Sequence, residues 1–287
     1  MSLRIGPREF GDDDQVVMAV INRTPDSFFD QGAYVEDAEA MAAVDLAIEQ
    51  GAAIVDLGGV RAGPGPEVSP AEEIARVVPF LAAVRRRHPT VALSVDTWRA
   101  EVGGAACEAG ADLLNDPWQG FDPGLAVVAA EHGAAVVCSH AGGLPPRTDP
   151  HRVAYDDVVA DVVRTVTRLA EQAVAVGVRR DGVLVDAAHD FGKNTFHSLE
   201  VTRRLDELVA TGWPVLVAVS NKKFLGEVLD VDKDNRLEAS LAATAICAWH
   251  GAQVFRAHQV LATTRVLDTV GAIRGTRPPA ISRRALA

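Results

Sequence analysis

Eight short apolar runs punctuate the chain, and their spacing predicts its architecture. They cover 16–21, 53–57, 91–95, 111–114, 134–138, 182–185, 214–219 and 253–256. Each is nearly continuous and rich in β-branched residues, as parallel strands covered on both faces are. Helical periodicity fills the intervals: 35–50, 70–87, 98–109, 125–132, 156–176, 198–211, 236–250 and 260–273. Ser69 with Glu72 three residues on forms a capping-box signal before the second helix. Four helices end on a glycine followed by alanine and then a strand, at Gly51, Gly110, Gly133 and Gly251. A glycine there closes a helix in the left-handed conformation. Eight repeated strand–helix units predict a closed (β/α)8 TIM barrel in a single α/β domain. An open doubly wound sheet is the other arrangement, but no G-x-G-x-x-G follows the first strand.

The barrel is expected to span 16–274, with an N-terminal extension at 1–15 lying over its bottom and a C-terminal tail at 275–287. A length of 287 residues suits one barrel. No apolar run approaches the roughly 18 residues of a membrane span, and the acidic N-terminus is no secretory signal. A cytoplasmic protein is expected. The net charge of −11 argues against nucleic acid and anionic membrane as partners. Cys107, Cys138 and Cys247 are far apart and form no CxxC pair, so they read as buried reduced thiols.

In such barrels the chemistry sits at the C-terminal strand ends. Reading past each run gives Asn22, Asp56 with Gly58-Gly59, Asp96, Asn115-Asp116, His140, Asp186, Ser220-Asn221-Lys222, and Arg256 with His258. Taken singly, Asp96 or Asp116 reads equally well as a helix cap, Asn115 as a turn residue and His140 as a structural hydrogen-bonder. Together they predict one concave polar face.

Their order and spacing carry a resemblance over nearly the whole chain. The motifs are N-R-T-P-D-S-F at 22–28, D-L-G-G at 56–59, V-D-T at 95–97, N-D at 115–116, His140, D-x-x-x-x-F-G-K at 186–193, S-N-K at 220–222 and R-A-H at 256–258. This set resembles the dihydropteroate synthases, barrel enzymes that are usually homodimers. They join a 7,8-dihydropterin-6-ylmethyl diphosphate to p-aminobenzoate in folate biosynthesis. The resemblance implies that Asp96, Asn115, Asp186 and Lys222 hold the pterin while Arg256 stacks on it. Asn22, Arg256 and His258 would meet the diphosphate, with Asn22 as a ligand of Mg2+. Asp186, Lys222 and Arg256 would carry the catalysis. Pro25, Phe28, Arg61, Phe191 and Lys223 would line the p-aminobenzoate site. Diphosphate departure would leave a cationic pterin methylene for the amine to attack, with mainly electrostatic help from the protein.

Several positions depart from the family pattern. The second loop, G-G-E-S-T-R-P-G in the family, is here Gly58-Gly59-Val60-Arg61-Ala62-Gly63-Pro64-Gly65. It lacks the two hydroxyls and carries its arginine two positions early. D-P-G-I-G-F-G-K becomes Asp186-Ala187-Ala188-His189-Asp190-Phe191-Gly192-Lys193, and S-R-K-S becomes Ser220-Asn221-Lys222-Lys223. Lys223 thus stands where a serine would meet the p-aminobenzoate carboxylate, and Ala141 replaces a larger apolar residue. The pterin residues are kept and the second-substrate loops are changed, the pattern of a divergent paralogue. Two functions follow: a dihydropteroate synthase-like transferase with a rebuilt second loop, or a weak or inactive pterin-binding relative with a regulatory or sequestering role. A methyltetrahydrofolate-type methyltransferase would have no use for Arg256 and His258 as diphosphate readers.

Overall fold

The protein, described here from a computed structural model covering residues 2–23, 33–148 and 153–284, is a closed eight-stranded parallel barrel. A small antiparallel hairpin, β1 (Leu3–Ile5) and β2 (Arg8–Phe10), precedes it. The barrel strands are β3 (Val16–Asn22), β4 (Ala52–Gly58), β5 (Ala92–Asp96), β6 (Leu113–Asp116), β7 (Ala135–Ser139), β8 (Val183–Asp186), β9 (Val215–Val217) and β10 (Val254–Ala257). They follow one another in chain order around the barrel, and β10 closes on β3. Each expected strand is present within a residue or two of its expected bounds.

The helices are α1 (Ala33–Glu49), α2 (Pro70–Arg87), α3 (Ala100–Glu108), α4 (Gly124–His132), α5 (Val158–Ala175), α6 (Thr195–Arg203), α7 (Leu205–Val209), α8 (Lys223–Leu229), α9 (Leu237–His250) and α10 (Val260–Arg274). Gly51, Gly110, Gly133 and Gly251 all have positive φ, as their C-cap reading requires. The capping box at α2 is half made: Ser69 Oγ accepts from the Glu72 amide, while the Glu72 carboxylate pairs with Arg76. Two helical expectations need correction. The stretch 198–211 holds two helices, because Arg204 leaves helical geometry (φ −109°, ψ 29°) and its guanidinium ties Glu200, Glu207 and Asp157 together. The seven-residue α8 was not anticipated, since it follows Asn221 and Lys222 with no apolar period long enough to mark it.

The barrel interior is built in layers. Its floor is apolar: Met18, Ile54, Ala92, Leu113, Ala135, Leu184, Leu216 and Val254 pack together with Leu3, Ile5 and Phe10 of the hairpin. The N-terminal extension therefore plugs the bottom, and burying Leu3 and Ile5 contributes roughly 1.5–3 kcal/mol each. Side chains two positions apart on a strand share a face. One step above the floor the same inward face becomes Asp56, Ser94, Asn115, Asp186 and Arg256. The change from apolar to polar along single strands sets the height of the site. No helix among the described residues is long and apolar enough to cross a membrane.

Candidate functional site

Arg256 organises the polar layer. Its Nε donates to Asp56 Oδ2 at 2.6 Å and its Nη2 to Asp96 Oδ2 at 2.7 Å. Asp56 is wholly buried and also accepts from Ser94 Oγ at 2.6 Å and Asn115 Nδ2 at 3.3 Å. Asp56 thus accepts three hydrogen bonds, one of them charge-assisted from Arg256, so its charge is compensated where it stands. Strand register makes this arrangement possible: Asp56 lies beside Ser94, and Asp96 lies beside both Gly58 and Asn115. The sequence marks Asp56 as polar within an otherwise apolar strand. Its role as the anchor of Arg256 emerges only from the closed barrel, which brings β10 within reach of β4.

Above this layer lies a cavity of about 280 Å³ lined by Asp96, Asn115, Asp186, Lys222, Arg256 and His258. All six were expected at one site, and the structure brings them together. Burial, with the neighbouring Asp56 charge adding to it, raises the Asp96 carboxyl to about 7 against the pull of Arg256. Burial raises Asp186 as well, although the Ala188 amide donates to its Oδ1 at 2.8 Å. Lys222 is lowered by burial and held up by Asp190 and Asp186. Its ammonium lies 4.5 Å above the Phe191 ring. His258 Nδ1 lies 3.2 Å from Ser220 Oγ, which fixes the ring beside the mouth. Lys233, on the short turn after α8, lines the same cavity and adds a cation. Nothing in the pattern around Lys233 announced that position.

Asn22 ends β3 on the same rim. A Cβ placed on Gly58 would lie 3.5 Å from Asn22 Oδ1 and 3.8 Å from Asp96 Cβ, so Gly58 lies between the two side chains. Pro25 and Phe28 lie outside the described residues.

A second cavity, about 230 Å³, adjoins the first across Phe191 and Lys222. Ala62, Pro64, Trp118, Asp190 and Lys223 are among its walls. Trp118 and Phe191 meet edge to face, 5.1 Å between centroids. Phe191 and Lys223 are thus placed as expected. Arg61 is not: it stands on the exposed part of the second loop and lines neither cavity. The loop is held by other means. Val60 is buried with Val68, Trp98, Trp118 and Ala141. Arg76 donates to Gly59 O at 2.9 Å, and Arg147 donates to Gly63 O at 3.2 Å and Pro66 O at 2.6 Å.

Two strand-end residues face away from both cavities. Asp116 accepts from the Trp118 and Gly120 amides at 2.8 and 2.6 Å and so closes a turn. Burial lifts its carboxyl to about 6. His140 is fully buried beneath the β8 loop. Lys193 Nζ donates to its Nδ1 at 2.8 Å, so the ring hydrogen is on Nε2 and donates to Asp161 at 2.8 Å. Lys193 also reaches the carbonyls of His140, Ala188 and Phe191 at 3.0–3.3 Å. Burial lowers Lys193 to about 7 and His140 to about 4. The lysine of the F-G-K motif is therefore an internal tie that holds the 187–193 loop over the site. Gly192 lets that loop pass close, since a Cβ there would sit 2.4 Å from Ala141 O.

Among the described residues no group of three or more His, Cys, Asp or Glu side chains is placed to hold a metal ion. The one metal donor expected, Asn22, offers a neutral amide oxygen. A lone neutral donor fits Mg2+ carried on a diphosphate and largely hydrated, rather than an ion caged by protein.

Comparison with known proteins agrees with this geometry. Residues 18–258 match the family described as pterin binding enzyme. The chain is 56% identical over 279 residues to the inactive dihydropteroate synthase 2 of Mycobacterium leprae, covering 96% of each. It is 37% identical over 257 residues to the dihydropteroate synthase of Escherichia coli K12, covering 89% of this chain and 90% of that one. The solved dihydropteroate synthase of Xanthomonas albilineans with 4-aminobenzoic acid superposes with a TM-score of 0.86 at 33% identity, covering 98% of this chain and 99% of that one.

Proposed function

The chain belongs to the pterin-binding enzyme family, and from that membership we propose that it binds a pterin diphosphate in the larger cavity and couples it only weakly to p-aminobenzoate. By family and fold it is a dihydropteroate synthase-like transferase. The observation that carries the proposal is the contrast between the two cavities. The first keeps Asp96, Asn115, Asp186, Lys222, Arg256 and His258 together. The second has lost the hydroxyls of the second loop and has gained Asp190 and Lys223.

In the first cavity, carboxylates accept from the amino and ring N–H groups of a pterin, while Asn115 and Lys222 donate to its carbonyl and ring nitrogen. Arg256, fixed by Asp56 and Asp96, offers a flat guanidinium face to the ring. Lys222, Lys233 and Arg256 make the mouth cationic, and His258, which burial lowers to about 4, adds a neutral imidazole; together they suit a diphosphate and stabilise it as it leaves. Asn22 and the diphosphate oxygens would share Mg2+, which would neutralise charge on the leaving group. The cationic mouth also favours this reading over a methyltransferase, whose pterin carries no diphosphate.

A full synthase is the second reading, and that same intact mouth favours it. The protein incubated with pterin diphosphate, Mg2+ and p-aminobenzoate separates the two. Little or no dihydropteroate, with micromolar pterin binding by calorimetry, is the expected result. Turnover comparable with an authentic synthase would overturn the weak-coupling reading. Pterin binding unaffected by Asp186→Ala would refute the cavity assignment itself.

We further infer a homodimer through α9 and α10, which pack on each other and expose Ile246, Trp249, Leu261 and Ile273. Three free cysteines, Cys107, Cys138 and Cys247, suit a reducing cytoplasm.

A further inference from the structure

One hydroxyl in the wall of the first cavity has no bond to make within the protein. Ser139 ends β7, and its Oγ is buried without a hydrogen-bond partner among the described residues. The whole residue is 1% exposed and lines the cavity. Its direction follows from the strand. Ala135 and Val137 point inward and belong to the apolar floor, so Ser139, two positions further on, points inward too. It therefore stands in the polar layer, and the strand register sets it directly beside Asp186 on β8. Ser94, another serine of that layer, donates to Asp56 at 2.6 Å. Buried hydroxyls are paired as a rule, so an orphan at a cavity wall points to a partner on whatever fills the cavity.

The chemistry beside it narrows what that partner is. A pterin presents a ring N–H and one N–H of its amino group side by side, and a carboxylate such as Asp186 accepts both. The amino group keeps a second, outer N–H, directed away from that pair. Two acceptors on one amino group, each about 2.9 Å from the nitrogen and about 120° apart, lie about 5 Å from each other. Neighbouring strands are spaced about 4.8 Å apart. A hydroxyl on the strand next to Asp186 thus matches the span that the outer N–H requires, and its lone pairs are unused.

We propose that Ser139 is a specificity-determining residue of the first cavity: its Oγ accepts the outer N–H of the ligand's amino group, while Asp186 takes the inner one, so that the cavity selects a pterin whose amino group is unsubstituted. This rests on the pterin reading of the cavity and adds to it the atom that Ser139 recognises.

Calorimetry on the full-length protein tests it with 6-hydroxymethylpterin and the analogue bearing one methyl on the amino nitrogen, which keeps the inner N–H and loses the outer one. The wild type is expected to bind the parent about tenfold more tightly than the analogue. Ser139→Ala removes the acceptor and makes room for the methyl. It is expected to weaken the parent about fivefold and leave the analogue no weaker, narrowing the preference to about twofold. Ser139→Cys keeps the shape with a poor acceptor, and the same narrowing is expected there should the alanine variant not fold. Because the hydroxyl bonds to nothing in the free protein, ligand-free Ser139→Ala should melt no lower than the wild type. Equal affinities of the wild type for the two rings, or an unchanged ratio in the folded variant, overturn the proposal. So does a clear loss of ligand-free stability in Ser139→Ala, which would mean that the hydroxyl is paired within the protein. A wild type that binds neither ring would remove the pterin reading and the role of Ser139 with it, whereas an unchanged ratio strikes Ser139 alone.

Discussion

Arg256 reaches from β10 across the neighbouring β3 to Asp56 on β4, placing its Nε 2.6 Å from Oδ2. The pair is buried on the Asp56 side and shared with Asp96 on the other arm. Removing one member leaves an uncompensated charge inside the barrel. Asp56→Ala is therefore expected to cost about 3–5 kcal/mol in urea unfolding and to abolish pterin binding, because Arg256 loses its fixed orientation. Asp56→Asn, which keeps an acceptor, should cost less. A stability change in Asp56→Ala below about 1 kcal/mol would mean that Arg256 is oriented by Asp96 alone.

Lys193 gives the fold a pH signature. Its folded value, about 7, lies below the ordinary lysine range. Between the two, the unfolded chain binds a proton that the folded protein does not, so stability rises with pH from about 7 toward 10. The slope approaches about 1.4 kcal/mol per pH unit at most for one group. Asp96 has the opposite sign but a different window, since its raised carboxyl makes stability fall between about pH 4 and 7. Urea midpoints measured from pH 7 to 10 should climb for the wild type and stay flatter for Lys193→Met, whatever the variant's absolute stability. Parallel profiles would show that the ammonium stays charged in the fold.

The second loop is expected to depend on its apolar anchor and its arginine strap. Val60→Ala removes packing against Trp98 and Trp118 and should cost about 1–2 kcal/mol. Arg147→Ala frees the carbonyls of Gly63 and Pro66 and should leave global stability nearly unchanged while hastening proteolysis between residues 61 and 67. Cleavage at the wild-type rate would show that Val60 and the Arg76–Gly59 hydrogen bond hold the loop without Arg147.

Oligomeric state can be read from one aromatic. Trp249 is 57% exposed on α9, and Ile273 is exposed on α10, which packs on α9. Trp249→Glu should convert a dimer into monomers in sedimentation velocity without disturbing the far-ultraviolet spectrum. A wild-type protein already sedimenting as a monomer would refute the interface.

The barrel and most of the first cavity were legible in the sequence because both follow from local rules. Buried parallel strands write themselves as apolar runs, and the residue after each run marks the strand end. The rest depends on closure in space. Asp116 and His140 occupy the same kind of position as Asn115 and Asp186, yet one closes a turn and the other meets Lys193 from a distant loop. Arg61 looked like a displaced substitute for the missing arginine, but the loop is anchored by Val60 one residue earlier and strapped by Arg147, 84 positions away from Gly63. Asp190 was visible only as a departure from glycine. Its carboxylate accepts from the Lys223 and Phe224 amides, bonds that require α8, a helix too short to leave a period.

The interior layering has an evolutionary consequence. On one and the same strand, Ile54 belongs to the floor and Asp56 to the chemistry, and the same alternation holds for Leu113 with Asn115 and Leu184 with Asp186. Residues that make the barrel stand are therefore interleaved with residues that define its ligand, without being the same residues. Loops above the rim can drift, exchange one acceptor for another or abandon turnover altogether while the floor beneath them stays intact. A duplicated gene for such a barrel can leave its first reaction behind and persist as a well-folded protein long enough for selection to find it another use.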